Sequence, residues 1–168
     1  MTRLTREVRI NAPKEKVWEI LADFGGVYKF NPNVPTSYCT SEANGGLGAT
    51  RHCDLTFQGA AVEERIVEWQ EGQSYIIEIY AGKNTPPFKT ARASISVKED
   101  GNGSIVTGTF EYSLKYGLLG ALMDKLMVQP QFSRAWSRLF AGLKHYAETD
   151  EPVEARTPVN LTAVVAVA

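Results

Sequence analysis

Gln131–Ala147, QFSRAWSRLFAGLKHYA, is the stretch whose reading decides the fold. Phe132, Trp136, Leu139, Phe140, Leu143 and Tyr146 recur at helical spacing and form one wide apolar face, with Ser133, Arg134, Ser137, Lys144 and His145 mostly around it. This helix closes a chain whose preceding segments read as strands, so a single rod must cover a whole sheet. A rod laid across a strongly curved antiparallel sheet leaves space beneath it, and enclosed apolar space is where small molecules bind. The pattern therefore points to a cavity more directly than to a reaction.

Immediately upstream, Leu119, Leu122, Met123, Leu126 and Met127 form a shorter apolar stripe, and Pro130 interrupts the hydrogen-bond ladder before the long helix. The stripe reads either as ordinary core or as adaptable methionine-bearing cover over a pocket, with the break as a hinge. Further upstream, Val106, Gly108, Phe110, Tyr112 and Leu114 alternate with polar residues, as do Ala91, Ala93, Ile95 and Val97. Tyr75, Ile77 and Ile79 continue the inward set, with Cys53, Leu55 and Phe57. Ala91, Ala93 and Gly108 leave volume on that face unless a neighbour reaches in; Gly108 is equally read as a strand bend or bulge. Asn44-Gly45-Gly46, Gln58-Gly59, Glu71-Gly72 and Asp100-Gly101-Asn102-Gly103 punctuate six strands. Ahead of them, Leu4, Val8 and Ile10 mark a first strand. Asn11-Ala12-Pro13 opens a helix carrying Val17, Trp18, Ile20, Leu21 and Phe24, ended by Gly25-Gly26, with a short helical turn before Pro32.

A chain of 168 residues with 43% hydrophobic content supports one packed core. Residues 1–148 read as one domain, and 149–168 as a tail that is either disordered or paired along a sheet edge. The 18 basic and 19 acidic residues leave a formal charge of -1 without a Lys/Arg run, which argues against a nucleic-acid partner. No segment reads as a secretory signal or a membrane span, so a cytoplasmic protein without integral membrane association is expected. Cys39 and Cys53 flank the Asn44-Gly45-Gly46 turn and are read as two packed thiols or, alternatively, a cross-strand bridge. No zinc, nucleophile-elbow or dinucleotide motif is present, so neither metal nor cofactor is expected.

One strand breaks the alternation. Val62, Glu64, Ile66 and Glu68 share a face, and Ala61, Glu63, Arg65, Val67 and Trp69 share the other. Either choice puts a charge inside, and the register that turns Leu55 and Phe57 inward also turns Arg51 inward. A buried carboxylate must be paired or hydrated, and Arg51 is the natural partner of Glu64. The two either satisfy one another, turn out at a bulge, or orient a polar group on an otherwise apolar ligand.

Ala12-Pro13-x-x-x-Val17-Trp18, Asn31-Pro32-x-Val34, Gly48-x-x-Arg51, Glu64-Arg65-Ile66 and Gly142-Leu143-Lys144-x-Tyr146, in this order, resemble the START-like or SRPBCC superfamily, including its polyketide cyclase/dehydrase and lipid-transport group. The resemblance covers residues 3 to about 148. It implies an α+β helix-grip fold: a curved seven-stranded antiparallel sheet around the C-terminal helix, with two short helices after the first strand. In plant hormone receptors of the superfamily the Glu of the Glu-Arg-hydrophobic motif faces the ligand, which implies that role for Glu64, and a lysine after the first helices meets a ligand carboxylate, a position similar to Lys29. The receptors' Ser-Gly-Leu-Pro gate is replaced here by Gln58-Gly59-Ala60-Ala61.

The expected activity is binding or transport of a small hydrophobic ligand, lipid-like or aromatic, in an internal cavity. The alternative is a polyketide cyclase/dehydratase in which Arg51, Glu64 or Tyr112 moves protons. The expected lining is Arg51, Glu64, Ile66, Ile77, Ala93, Phe110 and Tyr112 from the strands, with Phe132, Trp136 and Phe140 from the helix. The protein is expected to be a monomer or homodimer.

Overall fold

The computed structural model describes residues 1–57 and 59–167; Gln58, in the expected Gln58-Gly59 turn, and Ala168, at the end of the tail, lie outside the described residues. The first strand, β1 (Thr2–Ile10), leads through Pro13 into α1 (Lys14–Ala22) and a 3₁₀ turn, Phe24–Lys29. Then come β2 (Thr36–Cys39), β3 (Thr50–Asp54), β4 (Ala61–Gln70), β5 (Ser74–Lys83), β6 (Phe88–Asp100) and β7 (Gly103–Leu114). The helical layer is α2 (Gly117–Met123), a π turn (Asp124–Val128) and α3 (Gln129–Thr149), and the last described element is β8 (Val164–Val167). All ladders are antiparallel, in the order β2-β3-β4-β5-β6-β7-β1-β8. This is the helix-grip arrangement, with eight strands among the described residues rather than the expected seven. The extra strand is the tail, whose Val164–Val167 pair with Val8–Thr5 of β1.

The sheet curves because its long strands carry extra residues. On β4 the register passes from Ile66↔Ile77 to Glu68↔Ile76, leaving Val67 over. That bulge resolves the mixed pattern of the strand. Before it Val62, Glu64 and Ile66 are buried; after it Trp69 turns inward and stacks on Tyr75, with Glu68 exposed. A second bulge at Lys89 lets Phe88 and Ala91 share the inner face of β6. The β6–β7 hairpin closes through Gly101, whose φ of 59° is a left-handed conformation that glycine adopts without a Cβ clash.

Two glycines set how closely α3 approaches the rest of the molecule. A Cβ at Gly108 would overlap the ring of Phe140, and one at Gly142 would collide with the carbonyl oxygen of Phe30. The volume that Gly108 leaves is thus taken by Phe140, fully buried, with Trp136 beside it. The expected dry hollow at this point is filled by the helix itself. Arg6 tethers the opposite flank of α3, donating to the hydroxyls of Ser137 at 2.9 Å and Ser133 at 2.5 Å.

The cysteines are both free. Cys39 pairs across the ladder with Arg51 and Cys53 with Ser37, so they are not opposite one another. The α2 stripe also departs from a core reading. Leu119, Leu122, Met123, Leu126 and Met127 are exposed, and the buried positions are Gly120, Asp124 and Val128. Gly120 lies inward because a Cβ there would strike the carbonyl of Lys115.

Gly142→Ala gains at most about 1 kcal/mol of helix propensity, against about 1–3 kcal/mol for forcing a methyl into a filled contact. We expect a net loss of stability, read as a lower midpoint in thermal or urea unfolding.

Candidate functional site

Strand register lines up four of the expected residues in one transverse row. Ile66 pairs with Ile77, Ile77 with Ala93, and Ala93 with Phe110, all on the concave face and all buried. Ala93 leaves room in the row, and aromatic rings crowd in from the β7 side. Phe110 lies 5.4 Å from Phe132, 5.7 Å from Trp136 and 5.1 Å from Tyr112, measured between ring centroids. Phe88 completes the cluster, 5.8 Å from both Phe132 and Tyr112. Phe110 and Tyr112 are buried, whereas Phe88, Phe132 and Trp136 are only partly covered. The cluster is therefore deep on the sheet side and shallow on the helix side.

It sits where the sheet opens. The β5–β6 ladder runs from Ser74↔Ser96 to Glu78↔Arg92 and stops, although β4–β5 continues to Lys83 and β6–β7 to Phe88. Ile79 and Phe88 thus flank a gap between two strands that have parted. Two depressions on the described surface, ≈ 540 and ≈ 250 Å³, are open to solvent, and neither is an enclosed hollow between the sheet and α3.

The cover over the cluster is fastened by a buried polar contact. Tyr112 donates its hydroxyl to Asp124 Oδ1 at 2.5 Å, and Thr2 donates to Oδ2 of the same carboxylate. Burial and the neighbouring carboxylate push the Tyr112 phenol well above its ordinary pKa, so it stays protonated and donating. Asp124 opens the π turn, a helix irregularity that recurs at functional sites.

Arg51, Glu64 and Ile66 belong to the β3–β4 side. Arg51 Nε donates to Glu64 Oε2 at 2.5 Å, Nη1 donates to the Phe24 carbonyl at 2.8 Å, and the guanidinium lies 4.0 Å from the Phe24 ring centre. Burial works to lower the Arg51 pKa, but the Glu64 carboxylate outweighs it and the net direction is up. Cys53, against the same carboxylate at 3.7 Å, is pushed up by burial first and Glu64 second, so its thiol is held protonated. Tyr75 is pushed up to about 12, chiefly by burial. The two charges satisfy each other inside protein.

Lys29 is 2.7 Å from Asp23 and lines the ≈ 250 Å³ surface cleft with Tyr146, away from the aromatic cluster. His52 lies on the outer face between Glu63 at 2.5 Å and Asp54 at 3.1 Å, stacked on Tyr38. Among the described residues no group of three His, Cys, Asp or Glu side chains is placed to hold a metal ion. Phe88 and Asp124 were not among the expected site residues. The bulge at Lys89 hides the phase of Phe88. Asp124 was signalled only by the i, i+4 spacing of Gly120, Asp124 and Val128, opposite the apolar stripe.

A family model described as polyketide cyclase / dehydrase and lipid transport matches residues 1–148. No curated protein matches the chain. Among solved structures, the fold is similar to TTHA0849 from Thermus thermophilus (TM-score 0.72, 21% identity, covering 87% of this chain and 97% of that one). It is also similar to a START superfamily protein from Mycobacterium smegmatis (TM-score 0.65, 16% identity, 86% and 96%) and to major latex-like protein 151 from Panax ginseng (0.69, 15%, 87% and 97%). At these identities the structural likeness carries the fold.

Two expectations follow from the charged groups. Removing one partner of the buried pair, as in Arg51→Leu, should cost about 3–5 kcal/mol, and the double replacement with Glu64→Leu should recover much of it; denaturant melts of both variants measure this. The pKa of His52 is raised by its bond to Glu63 and then by Asp54, so its contribution is complete below the ordinary histidine range and is lost as pH rises through the folded value. For this partly exposed pair the loss is on the order of 0.5 kcal/mol after solvent screening. Thermal melts between pH 6 and pH 9 should show it in the wild type and not in His52→Gln.

Proposed function

The chain belongs to the polyketide cyclase/dehydrase and lipid-transport family, of the START-like superfamily, and from that premise we propose that it binds a small hydrophobic molecule, lipid-like or aromatic, against the Phe88–Phe110–Tyr112–Phe132–Trp136 cluster. The observation that carries this reading is the position of those rings beside the gap where β5 and β6 part. Phe132 and Trp136 reach from α3 onto Phe110 and take up the space above the row. A guest would enter past Ile79 and Phe88 and pack against the two helix-borne rings as they swing aside, with Ala93 and Ile77 forming the floor. Phe140, over Gly108, marks the inner limit.

Dispersion and burial supply most of the affinity. A ligand of about 20 heavy atoms at ~0.3 kcal/mol each gives ~6 kcal/mol, or tens of micromolar. Binding is favoured over catalysis because Arg51, Glu64 and Tyr112 are each bonded to protein partners, whereas a proton-transfer role needs one of them turned toward substrate. Arg51 and Glu64 serve, in this reading, to hold the β3–β4 end closed.

Native mass spectrometry of gently purified protein should reveal a co-purified small molecule, and an environment-sensitive hydrophobic dye should bind saturably. Phe132→Ala and Trp136→Ala should each weaken dye binding by about tenfold, the scale of one lost aromatic contact. Absence of both adduct and saturable dye binding would refute the proposal.

A further inference from the structure

The segment from Tyr116 to Gln131 turns its amphipathic sides the wrong way round for a self-contained domain. Its inward face is Gly120, Asp124 and Val128. Leu118 is 93% exposed, Leu119 65%, Leu122 56%, Leu126 67% and Met127 61%. Chance does not explain the inversion, because both halves have a local cause. Gly120 must face the Lys115 carbonyl, and Asp124 is fixed by Tyr112 and Thr2. Once these are inside, the leucines and methionines have nowhere to go but out. A contiguous apolar surface of this kind marks a site of association.

Its charges say with what. Between Leu114 and Phe132 the only carboxylate, Asp124, is buried, and the only cations, Lys115 and Lys125, are exposed. Lys89, exposed on β6, adjoins the same end, where the Lys115 backbone donates to the Pro87 carbonyl. The surface is thus apolar with a basic border, although the whole chain carries a formal charge of -1. A second copy docked by the same face would bring like charges together. A folded protein partner would ask for directional hydrogen bonds, about one per 100–200 Å² of interface, and the exposed face from Leu118 to Met127 offers only the Lys125 ammonium. An anionic phospholipid surface asks for what is present: leucine and methionine for the acyl boundary, and lysine for the headgroups.

We infer that the outward face of α2 and the π turn is a reversible docking surface for anionic lipid bilayers. The contact is peripheral and lies in the plane of the interface, since among the described residues no helix is long and apolar enough to cross a membrane. It places the cover of the aromatic cluster, and the gap between β5 and β6, at the lipid boundary. The inference extends the ligand reading without depending on it, because docking requires no bound guest.

The test is flotation of the full chain with vesicles of phosphatidylcholine alone and of phosphatidylcholine with phosphatidylglycerol. The chain should float with the anionic vesicles, bind the neutral ones less, and be released as salt rises. Leu118→Ser with Leu126→Ser should lower partition by about tenfold or more, and Lys115→Glu with Lys125→Glu should abolish the preference for anionic lipid. Circular dichroism melts establish that each variant is folded. The inference is overturned if the wild type stays at the bottom of the gradient with anionic vesicles, or if the leucine variant floats equally well. It is also overturned if the leucine variant converts a concentration-dependent dimer into a monomer without changing flotation. Dye binding measured without vesicles reports on the ligand reading alone, so the two failures are distinguishable.

Discussion

Everything in this molecule depends on one helix covering one curved sheet, and on how closely the helix is allowed to approach. Gly108 on β7 and Gly142 on α3 are the two points where backbone or ring comes within the space a side chain would need. At the first, Phe140 reaches the sheet; at the second, α3 reaches the loop that carries Phe30 and Pro32. These contacts pin the C-terminal half of α3. Toward its N-terminal end α3 is held by Arg6, through Ser133 and Ser137, and by the Trp136 indole on the Gly108 carbonyl, while the rings of Phe132 and Trp136 are only partly buried. Ring packing is therefore tight at one end and loose at the other, and the loose end is where β5 and β6 separate.

The buried polar groups follow the same division. At the tight end Arg51, Glu64, the Phe24 carbonyl and Cys53 form a closed set around a fully paired charge, and Trp18 and Trp69 both donate indole N–H groups to Glu71 nearby. At the loose end a single carboxylate, Asp124, holds the helical cover through Tyr112 and Thr2. A paired charge inside protein is costly to disturb. The cover is fastened by two hydroxyl donors on one carboxylate, fewer polar contacts than the closed set at the other end.

Much of this was legible in the residues. The α3 stripe and the alternation of β6 and β7 specified a helix over a sheet, and Ile77, Ala93, Phe110 and Phe140 have the inward orientation their spacing implied. What periodicity could not supply was phase across irregularities. A bulge adds one residue and reverses every later side chain, so Val67 concealed the inward turn of Trp69, and Lys89 concealed Phe88. The eighth strand was ambiguous because short β-prone tails pair or fray according to whether an edge is free, and the edge of β1 is a tertiary fact. The α2 segment misled for a different reason. Its apolar stripe implied burial, but a steric demand at Gly120 and a hydrogen-bonding demand at Asp124 outrank hydrophobicity when the cover is only one helix thick.

The outward leucines and the shallow rings then have a common origin. A cover that hides Asp124 cannot also press its leucines onto Phe132 and Trp136, so those rings are left half-open and the apolar face is left to solvent. Had the stripe turned inward, the leucines would seal the cluster, and an unpaired carboxylate would have to be hydrated at the surface instead. A solid core would gain from that exchange; a site that must admit a guest would lose by it. The ladder between β5 and β6 points the same way, because among the described residues its paired register ends at Glu78↔Arg92 and does not reach Ile79 or Phe88. Opening at this end therefore costs local ring packing, the Trp136 hydrogen bond to the Gly108 carbonyl and two hydroxyl contacts, and leaves the Phe140 and Gly142 contacts of α3 in place.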